Sequence, residues 1–596
     1  MQGNSNNVSL NVKSKIFIDK PNSYTALTAK PADWDTNWMK YFSVDYDPVS
    51  IEPSYFDPTH YFKYVGGLYV AGSSSDTWGS NIWYAKRYIP LTSQAAPTFV
   101  TNMYYSGSLE HLVDSENSCT SFGKVEETIE HVRALDDTTV RKSEFNIKMG
   151  HLEQLLAGMT VSRLIDFENN STDILVGDLS RLKVYSKIGR CNLNDAGEVT
   201  AWYGEQAYSE TGSNGQVMVR IPKFYYRVEP LKLTDIGTGG LGGYHLKRAI
   251  YSISDFPMAG YKLHPAFVNE SGHEIDEFFI GAFEACTYDV SENAYNITDN
   301  GLVSYIKDTG DLLASIGCTV AGDLTSGAKP TSGLSQTTAT RPNFEIIANN
   351  RGPGWHSCLI KQISAIQMLM LVEGGMVSQT STHAICNTQV NFGRGVVDIT
   401  DNTSYNCSSL TGSTVGNVTG NAAQTYNEIG GTKTSYTVNG KVSTSWRGVE
   451  NLYGNIWAFV WGMNIWGDGN MRGGAPYICN DFNFAEGIHE GDYQHPGFTT
   501  INTSGYISSF GYNKEDFDWL LVGSDTSGGG ENKMIGDYNY TTSNLNGYRI
   551  ALLGGSWHNG GRASAFYWTL NYGVGSRTRS RFARYVYSTN LRYIMI

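Results

Sequence analysis

Residues 554–568, near the C-terminal end, constrain the fold of this chain more than any other segment and run GGSWHNGGRASAFYW. Large aromatic residues that suit a buried core alternate there with glycine and small polar residues that suit turns and surfaces. Tyrosine, serine, glycine and asparagine are typical of recognition surfaces, because they combine rigid aromatic area with adaptable hydrogen bonding. The segment therefore predicts a rigid scaffold that presents a polar binding face.

The composition favours a β-rich protein. The chain has 596 residues, with 65 glycines, 38 tyrosines and 13 tryptophans but 16 prolines. These proportions suit short strands and tight turns more than helical bundles. A chain of this length can hold several domains with large cores. The formal net charge is -13 and 17% of residues are charged, so no general basic surface indicates nucleic-acid binding.

The cysteines and the apolar segments indicate neither a disulfide framework nor a membrane anchor. The eight cysteines are scattered without a CxxC pair, which argues against a zinc ribbon and favours buried thiols. The first residues lack the basic and apolar regions of a signal peptide, and the longest apolar run, 365–372, is too short to span a bilayer. We expect no membrane insertion. The cysteines are Cys119, Cys191, Cys286, Cys318, Cys358, Cys386, Cys407 and Cys479.

Shifts in composition divide the chain into four expected regions. Residues 1–50 form an N-terminal segment whose aromatic residues suit either docking or a first strand. Residues 51–165 form a mixed α/β region with a short heptad-like repeat, which suits either trimerisation or an ordinary core helix. Residues 166–244 form a β-rich connecting domain, and residues 245–596 form the largest domain.

Several secondary-structure elements are predicted within these regions. The alternation over 217–226 predicts a strand, and Pro222 predicts that this strand lies at an edge or begins there. Residues 261–267 and 278–284 are predicted to form paired strands. Residues 359–373 have the periodicity of an amphipathic helix that ends at Gly374 and Gly375. The Thr, Ser, Asn and Gly content of 400–440 predicts long surface loops.

Two segments carry a resemblance to a known family: 446–457, which runs WRGVENLYGNIW, and 554–568. Together they resemble the C-type-lectin-like fold shared by formylglycine-generating enzymes and the variable proteins of diversity-generating retroelements. The resemblance covers about 245–596 and is most specific over 446–462 and 551–587. It implies an α+β, β-rich multidomain protein, in which smaller β-rich N-terminal domains precede a C-terminal C-type-lectin-like domain.

The resemblance does not extend to the chemistry of the enzymes. Formylglycine-generating enzymes use two cysteines soon after the Gly-Gly-Ser motif, where this chain has Asn559 and Ser564, and no cysteine follows Cys479. A thiolate is needed both to bind the metal and to react. The Trp-Glu-Trp of that family is also replaced here, by the residues 457–459, which are WAF. We therefore expect no enzymatic activity and no catalytic residues.

The resemblance to retroelement variable proteins implies a set of receptor-binding positions. Adenine mutagenesis of asparagine codons cannot yield Lys, Gln, Glu, Met or Trp, and none of these occurs at the matching positions. The expected receptor-binding residues are His558, Asn559, Arg562, Thr569, Tyr572, Ser576, Thr578, Ser580 and Arg581. The expected scaffold residues are Trp457, Gly554, Gly555, Trp557, Phe566, Trp568, Arg577, Arg579 and Arg584.

The arginines of this region leave two interpretations open. Arginine forks suit carboxylate and phosphate, so the arginines can form a strip that recognises an acidic polymer. Alternate arginines can instead hold the framework by pairing with buried backbone groups. The resemblance favours the framework for Arg577, Arg579 and Arg584 and binding for Arg581.

The expected function is that of a phage tail fibre or tail-tip adhesin, located in the virion tail and made in the host cytoplasm. Its expected partners are a host cell-surface receptor, either glycan or protein, and other virion tail proteins that contact the N-terminal region. By analogy with tail fibres, a homotrimer is expected. No cofactor is expected to be required, although a structural cation is possible. Alternatives are a cell-encoded variable lectin-like adhesin, a surface polysaccharide depolymerase and a diverged formylglycine-type oxidase.

Overall fold

The computed structural model is rich in β-strands and poor in helices. It separates into two units, one made of residues 1–157 with 256–261 and the other of residues 158–255 with 262–596. Apart from Ala32, the expected region 1–50 and residues 51–159 of the expected region 51–165 lie outside the described residues. The structure describes Ala32 and residues 160–168, 175–237, 242–269, 271–295, 306, 308–317, 330–331, 340–375, 392–399, 408–414, 420–421, 425–429, 432–436, 438–479, 484–513, 515–526, 537–577 and 581–588.

The strands and helices of the second unit are numbered here in chain order. The strands are β1 (Thr160–Asp166), β2 (Leu175–Val176), β3 (Gly189–Leu193), β4 (Val199–Trp202), β5 (Gln216–Pro222), β6 (Tyr225–Asp235), β7 (Tyr244–Ser254), β8 (Lys262–Leu263), β9 (Glu277–Gly281), β10 (Cys286–Asp289), β11 (Ala294–Tyr295), β12 (Leu312–Ala314), β13 (Trp355–Ser357), β14 (Gly420–Asn421), β15 (Thr425–Ile429), β16 (Thr432–Tyr436), β17 (Thr444–Trp446), β18 (Val449–Glu450), β19 (Trp457–Asp468), β20 (Ala475–Cys479), β21 (Tyr493–Gln494), β22 (Gly505–Tyr512), β23 (Gly523–Thr526), β24 (Tyr538–Tyr540), β25 (Asn546–Leu553), β26 (Trp568–Tyr572), β27 (Arg581–Ala583) and β28 (Tyr585–Ser588). The helices are α1 (Lys183–Ser186), α2 (Arg341–Asn349) and α3 (Ile360–Gly374).

Fourteen of the described strands form one long sheet. Its main path runs β2, β1, β7, β22, β24, β26, β25, β19, β20, β21, while β6, β8, β23 and β27 pair beside that path. The longest member, β19, is buried along almost its whole length, which indicates that both faces of the sheet are covered there. A second sheet has the order β13, β28, β9, β5, β3, β4.

Both large sheets contain strands from each side of the expected domain boundary at 244/245. β1 pairs antiparallel with β7 from Thr160 opposite Ser254 to Asp166 opposite Arg248. In the second sheet, β5 pairs with β9, and β9 pairs with β28 near the C-terminal end of the described residues. Residues on both sides of position 244/245 therefore contribute strands to the same two sheets.

The predicted strand around residue 217 is present as β5, but its predicted edge position is wrong. β3 pairs with one side of β5 and β9 with the other. Pro222 is the last residue of the strand, where the missing N–H interrupts no continuing ladder. The chain then continues into β6, which pairs with β7 in the other sheet.

The predicted pairing of 261–267 with 278–284 is also wrong. Residues 262–263 form the short strand β8 beside β6, and a 3-10 helix, Pro265–Phe267, follows directly. The later segment forms β9, which pairs with β5 and β28 instead. The alternation of apolar residues predicted the second strand correctly, but it carried no information about which strand is its partner.

The predicted helix at 359–373 is confirmed as α3. It does not have the exposed polar face expected of an amphipathic helix, because almost all of its residues are buried. The helix contacts β1, β7 and β19 of the long sheet, and its polar residues Gln362, Ser364 and Gln367 are buried with the apolar ones. Gln367 Nε2 donates to the carbonyl oxygen of Ala565 at 2.7 Å, which ties the helix to the C-terminal segment. Within the described residues, no helix is long and apolar enough to cross a membrane.

The expected surface loops of 400–440 are only partly supported. Residues 408–414 are buried. Their polar groups form hydrogen bonds inside the protein, for example from the Thr411 hydroxyl to the Ile316 carbonyl and from Thr414 to Glu450. Residues 425–436 contain the antiparallel pair β15 and β16. The other residues of this stretch up to 437, apart from 420–421, lie outside the described ranges.

Replacement of Trp568 by alanine is expected to lower the free energy of unfolding by about 3–5 kcal/mol. The side chain is fully buried, and its indole Nε1 donates to the carbonyl oxygen of Leu521 at 3.0 Å, so the substitution leaves both a cavity and an unpaired carbonyl group. Chemical denaturation measures the change. Val574→Ala is the control, because Val574 is 47% exposed. Equal denaturation midpoints for Trp568→Ala and the parent would contradict a core role.

Candidate functional site

The segment 446–457 folds as a turn that directs two amides into the protein interior. Arg447, Asn451 and Asn455 have left-handed backbone, with φ of 47°, 45° and 54°, a conformation that asparagine adopts more readily than most residues. The Nδ2 groups of Asn451 and Asn455 both donate to Oε2 of Glu284. The turn is therefore anchored to a carboxyl group at the end of the β9 segment.

Glu284 is a buried carboxyl group whose neutral form is favoured. Burial raises the pKa of Glu284 to about 8, the Arg584 guanidinium opposes this shift, and the Glu450 carboxylate adds to it. Its Oε1 has no hydrogen-bond partner among the described residues, which would cost more free energy if the group were ionised. Burial therefore favours the protonated form of Glu284.

Glu450 and Arg584 extend this buried polar network. Glu450 accepts hydrogen bonds from the backbone N–H of Gly412 at 2.8 Å and from the backbone N–H and hydroxyl of Thr414, both at 2.7 Å. Arg584 donates from Nη1 to the Gly281 carbonyl at 2.8 Å and from Nη2 to the Glu450 carbonyl at 2.5 Å. The network thus joins β9, the 408–414 segment and the residue that follows β27.

The Gly-Gly-Ser-Trp segment begins at this network. Gly554 and Gly555 have φ of 100° and 84°, and a Cβ on Gly555 would lie 2.8 Å from the Cβ of Ala563, so a larger residue cannot fit there. The backbone N–H of Trp557 donates to the Asn455 carbonyl at 2.8 Å. Asn455 therefore connects Glu284 directly to the loop that carries His558 and Arg562.

Two arginine–tyrosine pairs lie around Tyr567, and we call these five residues the arginine–tyrosine face. The guanidinium carbon of Arg562 is 4.8 Å from the Tyr538 ring centroid, and that of Arg581 is 3.7 Å from the Tyr572 ring centroid. The Tyr567 ring packs edge-on against Tyr538 at 5.5 Å. Burial raises the pKa of Tyr567, the Arg562 guanidinium opposes the shift, and the Tyr538 and Tyr572 phenols reinforce it.

Strand pairing joins this face to the scaffold. Tyr567 also packs against Trp457 with ring centroids 4.6 Å apart, and Trp457 lies opposite Arg581 in the parallel pair of β19 and β27. The indole thus contacts one member of the face and is aligned with another. An arrangement of this kind holds polar and aromatic groups in fixed positions. In the adjacent loop, the Ser556 hydroxyl lies 3.2 Å from Nδ1 of His558.

The structure brings five of the expected receptor-binding residues to the surface of this region. His558 and Arg562 are exposed, while Asn559, Tyr572 and Ser576 are partly exposed. The Asn559 side chain also closes its own loop, because its Oδ1 accepts from the backbone N–H of Ser556 at 2.7 Å. Thr578 and Ser580 lie outside the described residues.

The expected exposure of Thr569 and Arg581 is wrong, because their side chains are 1% and 4% exposed. Thr569 lies in the middle of the long sheet, between Tyr540 of β24 and Leu552 of β25. Arg581 is buried where β27 aligns with β19. The strands that pair with these residues are distant in the sequence, so the local sequence pattern did not indicate that Thr569 and Arg581 are buried.

Most of the expected scaffold residues are buried. Trp457, Trp557, Phe566 and Arg584 are between 1% and 8% exposed. Arg577 differs, because it is exposed and its Nη1 donates to the carbonyl oxygen of Gly575, which corrects the expected buried framework position. Arg579 lies outside the described residues.

Sequence reasoning missed Tyr538 and Tyr567 as members of the site. Tyr538 is brought beside the C-terminal segment by the parallel pairing of β24 with β26, a long-range contact that local periodicity does not reveal. The alternation of tyrosines in 538–540 was the available signal, since alternate residues of a strand share a face.

The described cysteines are buried thiols, and one cluster of aspartates could hold a cation. Cys191, Cys286, Cys358 and Cys479 are buried, and burial raises the pKa of the first three thiols to about 12, which disfavours reactive thiolates. Cys119, Cys318, Cys386 and Cys407 lie outside the described residues. Among the described residues, one cluster of three carboxylates has the spacing to hold a cation, and it consists of Asp289, Asp308 and Asp311.

Comparison with known proteins gave structural neighbours of low similarity. No protein-family model and no curated protein sequence matches this chain. Among solved structures, the chain is similar to one titled "Major Tropism Determinant P3c Variant", with 12% identity over 72% of each chain and a TM-score of 0.21. A TM-score this low does not establish a shared fold.

Glu284→Gln is expected to change how stability depends on pH. Because the folded-state pKa of Glu284 is about 8, against an ordinary value of 4.5, the folded state holds this proton more tightly than the unfolded state. The stabilisation of the folded state by this proton is fully present below the ordinary pKa of a glutamate, and it is lost as the pH rises through the folded-state pKa of Glu284. The free energy of unfolding of the variant, minus that of the parent, should therefore increase between about pH 5 and about pH 8.

Urea denaturation across this pH range measures the difference. Glu490→Gln is the matched control, because it is the same substitution at an exposed position outside the buried network. A difference that stays constant with pH for Glu284→Gln, as for the control, would show that Glu284 is ionised in the folded protein.

Proposed function

We propose that the C-terminal part of this chain is a receptor-binding module and acts without enzymatic turnover. The observation that carries the proposal is the arginine–tyrosine face, in which Tyr572 and Arg562 are accessible above a buried polar network. Tyrosine and arginine dominate the binding energy of protein interfaces. Fixed aromatic and guanidinium groups lose little conformational entropy when a partner binds, which favours affinity.

More specifically, the protein is proposed to be a phage tail fibre or tail-tip adhesin that recognises a host cell-surface receptor. The support is the likeness of 446–462 and 551–587 to C-type-lectin-like variable proteins. Left-handed Gly554 and Gly555 and the buried Trp557 suit a scaffold role in such a domain. The exposed and partly exposed positions that follow, 558–562, suit the variable role.

The remaining parts of the proposal follow from the same class. The N-terminal region would attach to other virion tail proteins, and three copies of the chain would raise the avidity of a weak single site. Binding would require no cofactor. The lack of the two family cysteines after Ser556 supports a binding protein over a formylglycine-type oxidase.

Tyr572→Ala is expected to weaken cell adsorption by at least about 1–2 kcal/mol per site, while the melting temperature changes little because the side chain is only partly buried. The fluorescently labelled full chain would be titrated against a panel of bacterial strains, and the dissociation constant would be measured on a strain that adsorbs it. Tyr203→Ala is the matched control, since Tyr203 is 44% exposed and lies in the turn after β4.

A second variant, called the alanine variant of the whole face, replaces the accessible residues on and beside the arginine–tyrosine face, which are His558, Asn559, Arg562, Tyr572 and Ser576. It should remain folded and lose adsorption. Equal adsorption by this variant and the parent would place the receptor site elsewhere, and steady release of sugars from the cell surface by the parent would indicate a depolymerase.

A further inference from the structure

The charge of the chain is distributed unevenly along the sequence. Residues 538–596 contain no aspartate, glutamate or lysine, although the whole chain has a net charge of -13. The formal positive charge of this segment comes from arginine alone, and two of its arginines, Arg562 and Arg581, belong to the arginine–tyrosine face. The arginines are Arg549, Arg562, Arg577, Arg579, Arg581, Arg584 and Arg592.

Arg581 differs in its partners from Arg190 and Arg341, which pair with carboxylates, and from Arg163 and Arg584, which donate to backbone carbonyl groups. Arg190 donates to the Glu210 carboxylate at 2.8 Å, and Arg341 forms a two-pronged pair with Glu486 at 2.6 and 2.7 Å. Arg581 is 4% exposed, yet no carboxylate of the described residues pairs with it, and its Nε has no hydrogen-bond partner there. A buried guanidinium without a counter-charge is unfavourable unless an anion completes the site.

The geometry leaves the edge of this guanidinium for a ligand. The guanidinium carbon of Arg581 is 3.7 Å from the Tyr572 ring centroid, and the Tyr572 side chain also forms a hydrogen bond with Arg581. The remaining donors lie along the rest of the fork, where arginine binds oxyanions. Arg581 Nη1 donates to the hydroxyl oxygen of Ser576. Because that hydroxyl accepts from arginine, its own hydrogen is available to a second acceptor.

The approach to this edge is open at the surface. Residues 573–575 are exposed, and Ser576 is partly exposed. A Cβ added to Gly573 or Gly575 would meet nothing within 4 Å. Arg562, the second guanidinium of the face, is exposed beside Tyr538. A ligand can therefore reach Ser576 and Arg562 without unfolding the scaffold.

We propose that the arginine–tyrosine face binds an oxyanion, a carboxylate or phosphate group carried by the receptor, with Ser576, Arg581 and Arg562 as its donors. The inference rests on the proposed receptor-binding function and specifies the chemical class of the receptor. Ser576 donates to the anion and is itself polarised by Arg581, while Arg562 supplies the exposed positive charge. Stacking on tyrosine holds both guanidinium groups in place.

Binding to immobilised polymers tests the inference with the full chain. The probes are polygalacturonate, which carries carboxylates, poly(glycerol phosphate), which carries phosphates, and dextran, which is neutral. At least one acidic polymer should bind at least about tenfold more tightly than dextran, and the polymer that binds identifies the anion. Raising the NaCl concentration from about 50 to about 500 mM should weaken that binding, because salt screens exposed charges.

Three substitutions assign the binding to this face. Arg562→Met and Ser576→Ala, at accessible positions, should each weaken binding of the acidic polymer by at least about fivefold. Arg581→Met should also weaken it, with thermal melting used to confirm folding. Arg227→Met is the matched control, because Arg227 is exposed on β6 and pairs with Glu229, and it should bind like the parent.

Two results would overturn the inference: dextran binding as tight as that of both acidic polymers, or binding by Arg562→Met and Ser576→Ala equal to that of the parent. Loss of cell adsorption in the alanine variant of the whole face, together with no preference for acidic polymers, would leave the receptor-binding function standing and reject the anion. Retained adsorption by that variant would reject the receptor-binding function itself.

Discussion

The fold of the second unit depends on a charged side chain held in its interior. Arg584 donates to the carbonyl groups of Gly281 and Glu450, and so it ties the C-terminal strands to β9 and to the turn at 446–457. Each of these carbonyls lies far from Arg584 in sequence. A buried guanidinium is costly unless its donors are satisfied, so the segments that supply these acceptors must come together for the arginine to be buried.

The same network explains why a polar surface can be held rigidly. Burial favours the neutral form of Glu284, which receives the amides of Asn451 and Asn455, and Asn455 in turn receives the N–H of Trp557. The loop that begins at Gly554 is therefore held in place by the backbone of Asn455 and by the buried side chains of Asn455 and Glu284. The exposed side chains of His558 and Arg562 take no part in this buried network, as the proposed receptor-binding role requires, whereas Asn559 helps to close the loop through Ser556.

Local patterns predicted the elements and missed their partners. The periodicity of 359–373 was enough to predict α3, and the alternation at 217–221 was enough for β5. The position of β5 inside its sheet depends on β9, and the burial of Arg581 depends on the parallel alignment of β27 with β19. Within the site, residue type alone indicated that Arg562 and Tyr572 are accessible, but Thr569 is equally polar and is buried by β24 and β25.

Hydrogen–deuterium exchange of the full chain, with and without envelope fragments from a strain that adsorbs it, tests the central claim most directly. The account predicts slower exchange on binding in peptides that cover 537–541 and 556–577, and no change in 281–286 or 484–495. Protection confined to 484–495, or to any segment outside the arginine–tyrosine face, would contradict it.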